Sequence, residues 1–183
     1  MLMKWCLYVS CIILLSSCVS LKQTKQDHIR KISDLSAFNG NYSNRINSSD
    51  SSNLLWNQLN LDHMPAFNAK GGRIELQAID KNKIKAILFL DGERKSELAL
   101  KGKMKNNYFV SVHKRTIIPI PFIFGKFKNN QFQLALSEDN TLQIDCLNNQ
   151  WGWVFIFLAS HDQTRHYEYK YLKQGLEANG DLK

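Results

Sequence analysis

The residues with the most reactive side chains are dispersed along the chain and form no recognisable site. A metal site needs several His, Cys or carboxylate ligands that converge, but His161 and His166 stand five residues apart around Asp162, a spacing that fits neither one helix face nor one strand face. The sequence contains no glycine-rich phosphate loop, no Gly-x-Ser-x-Gly elbow and no His-Glu-x-x-His motif. We therefore predict no enzyme activity, no metal and no cofactor. A pocket in which His113, His161 or His166 meets a carboxylate would indicate an enzyme instead.

The first 17 residues have the pattern of an export signal. Such a signal needs a short cationic region, an apolar core of about 7 to 15 residues and small residues before the cleavage site. Lys4 supplies the charge, Trp5 to Leu15 supply the apolar core, and Ser16 and Ser17 are the small residues. A transmembrane helix needs about 20 apolar residues, which is more than this core contains. The sequence predicts export, with an ordinary cleaved signal peptide as the simplest alternative.

The sequence Leu15-Ser16-Ser17-Cys18 resembles the lipobox of bacterial lipoproteins, in which the Cys thiol is alkylated with diacylglycerol and the peptide is cut before it. The resemblance implies that Cys18 is the lipid attachment residue and that the protein is a membrane-anchored lipoprotein. One acyl chain gives only reversible attachment, so two or three chains would hold the protein on its membrane. Val19-Ser20 lacks the Asp retention signal known in some bacteria. This favours the outer membrane, with the domain facing the periplasm, and leaves the inner membrane and surface exposure open.

Only one thiol remains for other chemistry. Of the four cysteines, two lie in the export signal and Cys18 is predicted to be modified, so Cys146 alone stays free. A disulfide framework within the chain is therefore excluded. Cys146 follows Leu142 and Ile144 at alternate positions, which predicts the apolar face of a strand, where Cys behaves as a small hydrophobic residue.

The chain is basic, with 24 Lys and Arg against 16 Asp and Glu and a formal net charge of +8. Export makes nucleic acid an unsuitable partner. Lysines group at 81–83, 101–105 and 126–128, which are predicted turns. They form either a solvated rim or a surface that faces anionic headgroups beside the anchor, and salt-dependent membrane contact would distinguish the two.

Two segments, 117–124 and 151–159, are apolar on both strand faces. A strand with one solvated face does not need that composition. The second face is covered by a helix, lines a groove for lipid, or binds another envelope protein. Pro119 and Pro121 cannot donate ladder hydrogen bonds, which predicts an edge, a bulge or a loop. The candidate ligand or partner surface consists of Ile120, Phe122, Phe124, Trp151, Trp153 and Phe155.

The elements that position these residues are mostly strands. A short helix is predicted near 53–61 from apolar residues at helical spacing. After Gly71-Gly72 the apolar period changes to two, and tight-turn signals such as Asp91-Gly92 separate the runs. The sequence predicts a mainly β fold, an antiparallel up-and-down meander of about eight to ten strands. The meander closes as a barrel or, alternatively, folds over as a sandwich.

The domain organisation follows from composition. Residues 1–17 are the signal peptide and 18–35 are a polar, flexible tether. Residues 36–172 form a single β domain, a length that suits one hydrophobic core. Residues 173–183 are a disordered tail.

The opening Phe38-Asn39-Gly40-Asn41-Tyr42, followed by the meander, resembles the lipocalin-like barrels, in which a Gly-x-Trp pair begins the first strand. Here Tyr42 stands in place of the Trp. The resemblance implies a cup that holds a small apolar ligand. We expect a lipid-anchored envelope lipoprotein that binds a small hydrophobic molecule in its barrel. The alternative is a non-catalytic interaction module of an outer-membrane protein complex.

Overall fold

The computed structural model describes residues 28–46, 53–61, 72–112, 114–120, 124–154 and 157–173. Cys18, Phe122 and Phe155 lie outside the described residues, as do the export signal and positions 174–183. The described chain is mainly β. Its ten strands are β1 Gly40–Ser43, β2 Arg73–Asp80, β3 Lys83–Leu90, β4 Glu93–Lys105, β5 Tyr108–Ser111, β6 Lys114–Ile120, β7 Phe124–Leu136, β8 Leu142–Val154, β9 Phe157–Tyr169 and β10 Tyr171–Leu172.

The strands form one antiparallel sheet in the order β10-β1-β2-β3-β4-β5-β7-β8-β9, and β6 pairs with β7 beside this path. Most consecutive strands are neighbours, the exceptions being β5 with β6 and β9 with β10, so the predicted antiparallel meander is confirmed. Asp91 and Gly92, which join β3 to β4, both have positive φ angles of 52° and 79°. This is the backbone that a two-residue hairpin turn requires and the reason that Asp-Gly favours it.

The sheet is not closed into a barrel, which corrects the predicted closure. Its two ends, β9 and β10, are separated in the chain by Lys170 alone. Tyr169 pairs with Leu142 of β8, whereas Tyr171 pairs with Tyr42 of β1. The backbone N–H of Ser43 donates to the Lys170 carbonyl at 2.9 Å. Because the chain changes partner at this residue, no run of residues pairs with both β8 and β1, and the hydrogen-bonded ring stays open.

A change of partner also occurs within β4. Its first part pairs with β3 as far as Lys101, and its last part pairs with β5 from Gly102 onward. A Cβ atom at Gly102 would overlap the Val110 carbonyl oxygen and the Phe109 ring. Glycine at this position therefore lets β4 pass from the first half of the sheet, β10 and β1 to β4, to the second half, β5 to β9.

Both halves of the sheet contribute side chains to one buried core. Large aromatic side chains fill its interior, and the hydroxyl groups of two of them find backbone partners. Tyr42 donates to the Phe38 carbonyl at 3.0 Å and Tyr169 donates to the Asn53 carbonyl at 3.1 Å. Burial raises the pKa of both phenols far above the usual range. The largest fully buried side chains are Tyr42, Tyr169, Phe38, Phe109, Phe132, Leu55, Leu59, Ile74, Leu76, Ile84, Leu88 and Leu134.

The predicted short helix is confirmed as α1, Leu55–Leu59, and a single 3-10 turn spans Leu35–Phe38. The Asn44 side chain begins α1 by accepting a hydrogen bond from the Trp56 backbone N–H at 2.8 Å. The apolar side chains of α1 lie in the core cluster. The helix therefore closes the core.

The segment before the 3-10 turn also packs against the domain. The backbone N–H of Arg30 donates to the Leu136 carbonyl at 2.9 Å. Ile32 and Leu35 are buried in the core cluster, although the sequence assigns both residues to the tether. Their side chains cover the end of the core beside β7.

Candidate functional site

The second half of the sheet continues beyond the core as a four-stranded extension. It consists of β6 and of residues 124–130, 148–154 and 157–163, which pair side by side. β5 pairs with the other half of β7, where Phe109 lies opposite Leu134. None of the core-cluster residues belongs to the four-stranded extension. Phe127, Trp151 and Trp153 therefore lie apart from the core cluster.

One face of the four-stranded extension carries a group of exposed and half-buried apolar side chains. Ile117, Phe127 and Trp151 lie directly opposite one another on three neighbouring strands, which puts them on the same face. Trp153 follows two residues later on that face. The Phe127 and Trp151 ring centroids are 5.1 Å apart at 26°, and those of Trp151 and Trp153 are 5.6 Å apart at 30°. Ile117 is 60% exposed and Trp151 is 37% exposed. We call these four residues the aromatic strip.

A glycine allows the aromatic strip to lie flat. Gly125 pairs with Trp153, and a Cβ atom at Gly125 would overlap the indole ring. Only glycine leaves room for the ring to rest on the backbone of β7. The Trp153 ring therefore lies close to the backbone at Gly125 and stacks with Trp151.

Two lysines lie on the face of β7 opposite to the aromatic strip. Lys126 and Lys128 alternate with Phe127 and so project from the opposite face of β7. Burial and the neighbouring charge of Lys126 lower the pKa of Lys128. The sequence predicted a turn at 126–128, and this prediction is wrong, because these residues pair along the middle of β7 with β6 and β8. The turn signal was the Lys-Phe-Lys composition, which is equally compatible with a strand that has one wet face.

The structure groups some of the predicted surface residues and not others. Trp151 and Trp153 belong to the aromatic strip. Ile120 and Phe124 pair at the far end of the four-stranded extension, and Phe124 is half-buried on the face opposite the strip. Ile117 and Phe127 were not among the predicted residues, because their grouping with Trp151 depends on strand register. Pro119 lies in β6, which pairs only with β7 among the described strands, so the predicted edge position is confirmed.

A polar cluster, separate from the aromatic strip, lies on β7, β8 and β9. Asp145 is 4% exposed and accepts a hydrogen bond from Gln133 Nε2 at 2.8 Å. His166 Nδ1 lies 2.6 Å from the other Asp145 carboxylate oxygen, and His166 Nε2 lies 3.5 Å from Glu168 Oε1. The hydrogen bond to Asp145 raises the pKa of His166, against the opposing effect of burial. A histidine thus meets a carboxylate, as an enzyme would require.

The surroundings of this pair favour a stabilising role. A histidine oriented by a carboxylate becomes catalytic when it serves a nucleophile. Cys146 follows Asp145 but projects from the opposite face of β8, where burial raises the pKa of its thiol to about 12. It is therefore an inert thiol packed against the core. The Asp145 carboxylate is already bound by Gln133 and His166, which are both part of the sheet.

Within the described ranges, no three His, Cys, Asp or Glu side chains are placed to hold a metal ion. None of the helices in these ranges is long and apolar enough to span a membrane. Comparisons with family models, curated proteins and solved structures gave no match. The aromatic strip must therefore be interpreted from its own geometry.

Proposed function

We propose that this protein is a non-catalytic lipoprotein of the bacterial cell envelope that makes hydrophobic contacts through the aromatic strip. Cys18 carries the lipid, and the domain faces the periplasm from the outer membrane. The stack of exposed Trp151 with half-buried Phe127 and Trp153 outside the core supports this role most directly. Soluble domains rarely leave adjoining large apolar side chains exposed unless the patch serves in binding.

A small hydrophobic ligand inside the sheet remains the second candidate. The space between the two halves contains Tyr42, Phe109, Phe132 and Tyr169, all almost fully buried. A ligand of useful size would have to displace several of these side chains, at the free-energy cost of disrupting a packed core. We therefore assign the hydrophobic contact to the aromatic strip. The polar pair of Asp145 and His166 is assigned to stabilisation and not to catalysis.

The anchor is tested by growing bacteria that express the full chain with an alkyne analogue of palmitate. The wild-type chain and the Cys11→Ser variant should be labelled, because Cys11 lies inside the signal peptide. The Cys18→Ser variant should lose the label. Labelled Cys18→Ser protein, or unlabelled wild type, would overturn the proposed anchor.

The same cells test the contact surface. A photoreactive phenylalanine analogue replaces Ile117 in one variant and Ile79 in another, since these isoleucines are 60% and 53% exposed. Cross-linked lipid or protein is expected from position 117 and not from position 79. Equal yields from the two positions would contradict a role for the aromatic strip.

A further inference from the structure

We infer that the far end of the four-stranded extension enters an anionic lipid bilayer end-first, with the aromatic strip at headgroup level. This builds on the proposed function, because it names the hydrophobic partner. Four features of the described residues support it: an apolar end, a change to polar residues along the strands, aromatic rings at the boundary, and a surplus of cations.

The far end of the four-stranded extension is composed of apolar residues. Ile120 pairs with Phe124 and Val154 pairs with Phe157, and these four residues form the last described row of the extension. Two complete cross-strand rows contain no polar side chain. The last row is Ile120, Phe124, Val154 and Phe157, and the row before it is Pro119, Gly125, Trp153 and Leu158.

Polarity changes along the strands with distance from this end. The third and fourth rows contain one polar residue each, Lys126 and Ser160. The fifth row has no apolar residue. Its members are Thr116, Lys128, Gln150 and His161. At about 3.3 Å per residue, the four mostly apolar rows span about 10 Å, which matches the depth of about 5 to 10 Å that interfacial elements reach in a bilayer.

A gradient along the strands fits a membrane leaflet better than a folded protein partner. A protein surface that docks on one sheet face requires apolar residues across that face, with polar residues on the other. Here the composition changes in the direction that leads from hydrocarbon to headgroups. Trp151 stands at the transition in the fourth row, and Trp153 lies two rows nearer the apolar end. Trp is enriched at membrane interfaces because its ring is both apolar and polar.

The backbone of the extension limits how deeply it can enter the bilayer. β6 is an edge strand, and unpaired backbone groups are not tolerated in the hydrocarbon region. Pro119 brings no N–H group to this strand. We therefore expect the end of the extension to stop in the interfacial layer.

The charge of the four-stranded extension complements anionic headgroups. Asp162 is the single acidic residue in 114–120, 124–130, 148–154 and 157–163. The cations in the same ranges are Lys114, Arg115, Lys126 and Lys128. Lys128 lies in the fifth row, and Arg115 and Lys114 lie in the two rows that follow it. This is the level at which headgroup phosphates would lie.

The test uses the mature chain from residue 18 with Cys18→Ser, so that no lipid anchor contributes. Every core-cluster residue lies between Ile32 and Tyr169, so this chain retains the core. It is mixed with vesicles of phosphatidylcholine, with or without phosphatidylglycerol, and bound protein is separated by flotation. Binding is expected with phosphatidylglycerol and should weaken as salt is raised. Brominated lipids should quench the tryptophan fluorescence when the bromine is near the headgroups.

Variants locate the contact. Trp151→Ala should lower the vesicle partition coefficient about tenfold or more, because the ring leaves water on binding. Ile117→Ala should lower it several-fold, and Ile79→Ala should leave it unchanged. Circular dichroism verifies that each variant is folded, and the quenching of the unmutated chain is independent of any folding defect.

The bilayer proposal is overturned if the unmutated chain neither floats nor is quenched, or if Ile79→Ala weakens binding as much as Ile117→Ala. The vesicle assay could fail while position 117 cross-links to a protein in cells. The aromatic strip would then remain a contact surface, with a protein partner in place of the bilayer. If the wild-type chain were not labelled with the palmitate analogue, only the proposed lipid anchor would be overturned, because the vesicle assay uses a chain without the anchor.

Discussion

The two halves of β7 and β8 both carry large apolar side chains but hold them in different environments. At the core end, Phe132 and Leu134 are buried beneath the first half of the sheet. In the four-stranded extension, Phe127 and Trp151 belong to the same two strands and stack in contact with solvent. Phe127 lies on the face of β7 opposite to Phe132. The difference lies in which side chains join the core cluster, since Phe132 and Leu134 belong to it together with residues of β2, β3 and α1, whereas Phe127 and Trp151 do not. An apolar strand therefore identifies a buried surface only when a second layer exists to cover it.

The largest expected effect separates these halves by stability. Phe132→Ala should lower the free energy of unfolding by about 3 to 5 kcal/mol, because it leaves a cavity among packed side chains. Trp151→Ala should lower it by less than about 1 kcal/mol, since the ring is already partly in water. Urea denaturation followed by circular dichroism measures both. Similar losses would mean that the aromatic strip is part of the folding core.

Substitutions of Gly102 and Gly125 also compare the core with the aromatic strip. Gly102→Ala places a methyl group against the Val110 carbonyl and the Phe109 ring, and we expect a loss of about 1 to 3 kcal/mol. Gly125→Ala meets the Trp153 ring, which can rotate away from the sheet. It should change the near-ultraviolet circular dichroism of the tryptophans with little change in the urea midpoint. A large stability loss in Gly125→Ala would show that Trp153 is held in place by more than this contact.

The smallest effect concerns pH. The pKa of His166 is raised in the folded state above its ordinary value of 6.5, chiefly by the hydrogen bond to Asp145. The folded chain therefore binds this proton more tightly than the unfolded chain, and the resulting stability is complete below about pH 6.5 and is lost as pH rises through the raised pKa. Because the imidazole is partly exposed, the loss should not exceed about 1 kcal/mol. Urea midpoints between about pH 6 and pH 9 should fall more for the wild type than for His166→Gln, and equal slopes would contradict the assignment.

Much of the fold could be predicted from local sequence, and the site only in part. Alternating apolar residues and turns such as Asp91-Gly92 are local signals, and they predicted the antiparallel meander. Apolar residues at helical spacing, which are also a local signal, predicted α1. The open path of the sheet depends on a change of partner at Lys170, which no local pattern records. The aromatic strip joins residues 117, 127 and 151 through strand register, so its members could not be grouped beforehand. Asp145 and His166, 21 positions apart, meet for the same reason.

The short pairing of β10 with β1 has a consequence for self-association. Two residue pairs hold these strands together, and Tyr171 packs edge-on against Tyr42 with ring centroids 5.5 Å apart. So short a segment opens locally at less free energy than the whole domain requires. When it opens, β1 presents unpaired N–H and C=O groups, which are a template for a strand from another copy. A lipid anchor would concentrate many copies on one membrane surface. Under that crowding, the pairing of Tyr171 and Leu172 with β1 would limit strand exchange between copies and so limit aggregation.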